Sequence, residues 1–242
     1  MNKTSFIALA AGVLLSAASA SAQSAEPATY FVNVNAGAQM QEHSLASSIT
    51  FPLYNQTAAV NTAQNIETGP FFDISVGRRF WNDLGVGAGF ATFKNSSDLV
   101  GVALIPHPLF FDSAATVNFT TGADHNENNL YIVALWFVPI AERLDATLSA
   151  GPSFIRVKQG LLADLTVPPG TQAGIPNVIT EEAWGTGINV GGDVTYELIT
   201  RGNLRMGLGG FLRYNGASVE LPSGAEVDAG GFQGGGGLRF RF

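Results

Sequence analysis

Apolar and polar residues alternate one by one through seven of eight strand-like stretches of this chain, the period of a β-strand with two different faces. Tyr30, Val32, Val34, Ala36, Ala38 and Met40 form one row, against Phe31, Asn33, Asn35, Gly37, Gln39 and Gln41. Phe72, Ile74, Val76 and Phe80 oppose Asp73, Ser75, Gly77 and Arg79. After Asn82-Asp83, a hairpin signal, Leu84, Val86, Ala88 and Phe90 oppose Gly85, Gly87 and Gly89. Leu130 to Val138 is apolar on both parities, so the pattern leaves its facing open; Ile132, Ala134, Trp136 and Val138 are assigned outward. Pro139 to Arg143 makes a turn, and Leu144, Ala146, Leu148 and Ala150 then oppose Asp145, Thr147 and Ser149. Gly151-Pro152 is expected to interrupt the register there, because proline cannot donate to a ladder. Ile188, Val190, Val194, Tyr196 and Leu198 oppose Asn189, Gly191, Asp193, Thr195 and Glu197. Past a turn at Thr200 to Asn203, Leu204, Met206, Leu208, Leu212 and Tyr214 oppose Arg205, Gly207, Gly209, Phe211 and Arg213, and finally Leu238, Phe240 and Phe242 oppose Arg239 and Arg241.

The connections alternate in length. Those after the second, fourth and sixth stretches are a few residues each, while those after the first, third and fifth cover 42–69, 94–128 and 158–182; the last, near 216–226, is modest. Short turns at one end and long loops at the other are the signature of a transmembrane barrel, with both chain ends on the short-turn side. A secreted β-sandwich, the alternative architecture, has no reason to alternate this way. Leu99 to Ile105 and Leu161 to Val167 look extended, so strands are expected either to continue past the bilayer or to form an extra hairpin, ten strands instead of eight.

Composition agrees with the barrel. Only 13% of residues are charged and 46% are hydrophobic, where soluble domains carry about 25% charged. Beyond the first residues no apolar run approaches the roughly 18 or more that a spanning helix needs. The N-terminus has Lys3, an apolar core over Phe6 to Leu15 and the small residues Ala20-Ser21-Ala22, the arrangement of an export signal. Cleavage is expected after Ala22, so that 1–22 is a signal peptide and 23–242 one barrel domain. The mature chain then carries 11 basic and 19 acidic residues, a net charge of −8, which argues against a nucleic-acid partner. There is no cysteine, hence no disulfide, thiolate metal site or Cys nucleophile.

Eight strands enclose an interior that side chains can just fill. The inward rows supply Asp73, Asp145, Asp193 and Glu197 together with Arg79, Arg205, Arg213, Arg239 and Arg241. Opposite charges sharing a low-dielectric lumen are expected to pair, and a structural plug is preferred to an ion or proton path. Inward glycines, Gly85, Gly87, Gly89, Gly207, Gly209 and the run Gly234 to Gly237, leave room for long side chains from other strands. Arg78 breaks an outward row near the short-turn end, where it can snorkel; Tyr30, Phe80, Trp81, Tyr196 and Tyr214 are candidate members of the aromatic girdles.

Catalytic chemistry finds little support. His43, His107 and His125 fall in the expected outer loops, without metal-ligand spacing and exposed to solvent. Asp124-His125 has no nucleophile motif beside it, so no enzyme, cofactor or metal site is assigned. The apolar segment Ile105 to Asp112 is expected to close or line the outer mouth of the barrel.

The N-terminal signal, the segment Phe72 to Phe80 and the terminal Leu238-Arg239-Phe240-Arg241-Phe242 together resemble the small outer-membrane β-barrels of the OmpA-transmembrane, OmpX and opacity-type group. The resemblance is one of pattern over the mature chain, and Arg78 departs from it where such proteins often carry Tyr. It implies eight antiparallel strands, outer-membrane lipid as the surroundings, and Leu238, Phe240 and Phe242 as the signal read by the barrel-assembly machinery. It also implies a monomer in the bacterial outer membrane with a structural or surface-interaction role. A narrow channel, or a carrier for small or hydrophobic molecules, is the alternative.

Overall fold

A computed structural model describes residues 29–40, 43–81, 83–111 and 113–242. The expected signal peptide with its cleavage point, Asn82 of the first hairpin and Asp112 of the apolar loop lie outside the described residues. The ten strands are β1 (Tyr30–Met40), β2 (His43–Leu53), β3 (Gln56–Ile66), β4 (Gly69–Trp81), β5 (Leu84–Pro106), β6 (Ala114–Ala141), β7 (Leu144–Thr166), β8 (Ile175–Arg201), β9 (Leu204–Glu220) and β10 (Glu226–Arg241). All pairings are antiparallel, and β1, β4, β5, β6, β7, β8, β9 and β10 close into a ring of eight. First and last strands seal it: Phe242 donates its N–H to Tyr30 O at 2.9 Å and accepts from Thr29 N at 2.8 Å.

The ring turns one apolar row outward along every strand. Val34, Ile74, Val86, Ile132, Val190 and Leu208 are all exposed. A soluble protein would not present such a belt; hydrocarbon accommodates it, and a closed ring leaves no edge unpaired there. Among the described residues no helix is long and apolar enough to cross a membrane. Ile132, Ala134 and Trp136 do face outward, while Tyr131, Val133, Leu135 and Phe137 fill the interior. Tyr30, Phe80, Trp81, Tyr196 and Tyr214 are all exposed outward, and the Arg78 guanidinium lies 5.3 Å from the Tyr30 ring centre near the short-turn rim.

Three tight turns mark that rim. Each is preceded by a register shift, between Arg79 and Trp81, Pro139 and Ala141, and Glu197 and Ile199, bulges of the kind that bend a strand at a barrel edge. Proline does less than expected. Pro152 points outward within β7, and pairing to β6 keeps one register on both sides of it, Tyr131↔Ser153 and Ala134↔Ala150. In β10 strict alternation puts Gly235 and Gly237 in the inward row of Arg239, and Gly234 and Gly236 in the outward row, so only half of that glycine run faces the lumen.

The larger correction lies outside the bilayer, where the expected loops are mostly strand. β5 and β6 pair from Leu84↔Trp136 to Pro106↔Ala114 with no register shift. At about 3.3 Å per residue β5 is roughly 75 Å long, whereas a spanning strand needs only 9–11 residues. The ladder therefore continues far above the membrane. The segment read as a first loop is the hairpin β2–β3, which turns at Tyr54-Asn55 with φ of 52° and 56° and adds β3 to the upper half of β5, Ala59↔Leu104 to Gln64↔Leu99. Among the described residues ten strands are thus present, eight of them in the ring. The outer part has its own apolar cores: Val60, Ala103, Ile105, Leu162 and Leu165 in one, Ile155, Val157, Val219 and Val227 in another.

Candidate functional site: the lumen

Between the rim bulges and the outer extensions, strand parity aims the odd-numbered residues of the ring inward, and these side chains sort into layers. Nearest the short turns, Arg241 makes a two-pronged contact with Asp145, 2.6 Å for one prong, and lies 3.4 Å from Glu197, which Arg205 approaches at 3.7 Å. One layer in, Arg239 grips Asp193 through Nε at 3.0 Å and Nη2 at 2.5 Å, and donates to Asn35 Oδ1 at 2.6 Å. Asn35 in turn donates to Asp73 at 2.5 Å. Asp73 also accepts from the Tyr131 hydroxyl and from Arg213 at 3.1 Å, and Arg213 reaches the Tyr131 oxygen at 3.0 Å. Such forked guanidinium–carboxylate contacts are the geometry in which a buried charge pair is well satisfied.

Of the nine charged residues picked from the pattern, eight meet in these two linked groups. The ninth, Arg79, sits at the rim, bound to Asp83 of the turn at 2.7 Å and 4.8 Å from the centre of the inward-facing Phe137 ring. The eight comprise four acids and four arginines, so their formal charge is zero. Glycines admit the long side chains: a Cβ on Gly89 would lie 2.3 Å from the Tyr131 oxygen, and one on Gly209 would lie 2.6 Å from Arg239 Nε.

Further out, a second polar layer crosses the lumen. Gln233 donates to Gln39 at 2.8 Å, and Gln39 donates to Glu127 at 2.8 Å. The Glu127 carboxylate also takes the backbone N–H of Gly230 at 3.0 and 3.1 Å and faces His125 Nε2 at 2.8 Å. His125 Nδ1 lies 2.7 Å from Gln159 Oε1, and Gln159 donates at 2.7 Å to Gln64, which ends the chain on Ala123 O and Ser97 Oγ, both at 3.0 Å. Gly230 can offer its N–H there because its φ of 92° kinks β10 where it leaves β1. Both imidazole nitrogens of His125 meet oxygen acceptors, so a doubly protonated ring is fully hydrogen-bonded beside Glu127.

This layer was missed in the sequence. His125, expected in a solvated loop, is 0% exposed within β6. The signal was available: His125, Glu127 and Asn129 continue backward the inward parity of Tyr131 and Val133. His43 opens β2, and His107 stays in a loop, where its Nδ1 accepts the N–H groups of Leu109 and Phe110 at 3.1 Å each. In the apolar segment Ile105 is buried in the outer core, while Leu109, Phe110 and Phe111 are 79%, 65% and 72% exposed at the tip of the β5–β6 hairpin.

On the short-turn side of the Asp73–Arg213–Tyr131 group lies a cavity of about 50 Å³, lined by Phe31, Ser75, Leu135, Phe137 and Arg241 among others. It has room for a few waters. Among the described residues no group of three His, Asp or Glu side chains is placed to hold a metal ion.

No family model matches the chain, and no curated protein matches it in sequence. Solved structures similar to it include Neisserial surface protein A (18% identity, 88% of this chain and 97% of that one, TM-score 0.40). OprG from Pseudomonas aeruginosa is also similar (9% identity, 89% and 97%, TM-score 0.42). A third is the outer membrane protease OmpT from Escherichia coli (13% identity, 92% and 99%, TM-score 0.39). Independently of them, the closed pairing from β1 round to β10 and the outward apolar belt make this chain a small antiparallel transmembrane β-barrel with eight strands in its ring.

Proposed function

We propose that the protein is an integral outer-membrane barrel with a structural or surface-interaction role, whose lumen is plugged and carries no solute. The observation that carries this reading is the double obstruction of the lumen: the Asp73–Arg213–Tyr131 group on one side and the Gln39–Glu127–His125–Gln159 chain on the other. Charge pairs that satisfy one another fill space and offer no free site to a passing ion. The lumen cavity of about 50 Å³ is far below the roughly 300 Å³ of an ordinary small-molecule site, which disfavours a carrier that holds its cargo within the lumen. No catalytic role is proposed. On this reading each copy of the chain is inserted singly into the outer membrane after cleavage near Ala22, with Leu238, Phe240 and Phe242 as the assembly signal. Phe242 and Leu238 face outward at the sealing strand.

The test is planar-bilayer recording of the purified protein. Silence, or only brief low-conductance flickers, is expected; a large steady conductance would replace the plug with a channel.

A further inference from the structure

Above the membrane, β2, β3, β5 and β6 form one continuous four-stranded sheet in fixed register. Its inner face is covered, with Val60, Ala103 and Ile105 packed against Leu162 and Leu165 of β7. Its outer face is uncovered. Along the middle of that face runs a ridge of Val100, Val102 and Leu104, 51%, 40% and 46% exposed. The ridge begins 16 residues beyond the turn into β5; even at a strand tilt of about 40° that is roughly 40 Å of height, past the apolar belt, so lipid does not cover it.

The face is unusual in its chemistry. The register defines three rows of four outward positions, from Ala46, Ala63, Val100 and Thr120 in the lowest to the row of Leu104 in the highest. No charged residue occupies any of the twelve positions. The other outer walls differ: Glu220, Glu226 and Asp228 are exposed on β9–β10, and Arg156, Lys158 and Glu182 form ion pairs on β7–β8. Small residues and a ladder free of register shifts leave a flat, apolar-centred surface, the kind that packs against another sheet.

We propose that this face is covered by the same face of a second copy of the chain. Two copies in one membrane stand upright at the same height, so a two-fold axis along the membrane normal brings identical rows opposite each other, a self-complementary contact. In a chain with a surplus of acids, these three uncharged rows, with Asp98 exposed only below them, are where like copies meet with least repulsion. The area is small. Four strands at about 4.8 Å by five residues at about 3.3 Å give roughly 300–400 Å² per copy, under half of the roughly 800 Å² of a standard interface. Association therefore depends on confinement in the membrane, which raises effective concentration, and is expected to vanish in dilute detergent. The inference rests on reading the outer half as an interaction surface; it does not depend on whether the lumen conducts.

The chain has no cysteine, so single thiols can be placed cleanly. Val102→Cys and, as a control on another outer wall, Thr180→Cys would be treated in native membranes with a bis-maleimide spanning about 10 Å, the spacing of packed sheets. The expected result is a band of twice the monomer mass for V102C, none for T180C, and no V102C band when the protein is solubilised in dilute detergent before the reagent is added. Adding Val100→Asp to V102C should abolish the band while heat-modifiable gel migration, the sign of a folded barrel, stays unchanged. A monomer band alone for V102C, equal dimer bands for both thiols, an adduct of any other mass, or a band that survives V100D would each overturn the proposal. None of these outcomes bears on the conductance test.

Discussion

Tyr131 shows how much one side chain depends on an absence elsewhere. Its hydroxyl reaches Asp73 and Arg213 only because Gly89 across the sheet has no side chain. Gly89→Val should displace the ring and cost about 1–3 kcal/mol, as overpacking of a filled interior does; an unchanged urea-unfolding midpoint in liposomes would count against this. Arg213→Met should cost more, about 3–5 kcal/mol, because Asp73 is left buried without its cation. Replacing both, as D73N with R213M, should recover most of that loss; if the double variant is as weak as R213M, the two do not act as a pair. At this scale the sequence was informative wherever strand parity could be read. Of the nine charges it picked, eight meet in the two groups, but it could not identify Tyr131 or Asn35 as their partners, because which inward residues meet across the lumen is set by tilt and stagger of the ring. Arg79 is held at the rim by the bulge between Arg79 and Trp81 and by the nearby Asp83.

Among the elements, β2–β3 is the one that ties the outer part to the lumen. Gln64 on β3 terminates the amide chain that begins at Gln233. Because Gln39 on β1 lies opposite Gly69 on β4, residues 43–66 can be replaced by a short turn without breaking the ring. The shortened protein is expected to assemble, with amide hydrogen exchange accelerated at 123–127 and 157–159 and unaltered at 71–79. Equal exchange in the two proteins would sink the idea that the hairpin braces the outer layer. This hairpin was legible in part: Leu45, Ile49, Phe51 and Leu53 alternate as any strand does. Its turn hid it, since Tyr54-Asn55 carries positive φ without the glycine that usually announces such a turn. The extensions of β5 to β8 were hidden differently. Polar residues such as Asn95, Ser96 and Asp98 end the apolar belt, which marks where lipid stops and not where pairing stops.

For the whole molecule, the layers amount to a closed barrel with polar bulkheads near both ends, and the bilayer recording described above is the measurement that decides between plug and pore. A variant sharpens it: Glu127→Ala together with Gln39→Ala removes the centre of the outer bulkhead and should still leave the protein silent, because the Asp73 group obstructs the lumen independently. Steady conductance in that variant would show that the inner layer does not seal. The unbroken β5–β6 ladder has a mechanical consequence as well. Its tip presents Leu109, Phe110 and Phe111, braced by His107, at the end of two long strands whose lower halves are stitched into the barrel wall. A pull on that tip loads the flanking hydrogen bonds in shear, all at once, instead of peeling them singly. Force spectroscopy through the tip should therefore record one abrupt high-force extraction, whereas a staircase of small ruptures would mean that the arm unzips from the wall.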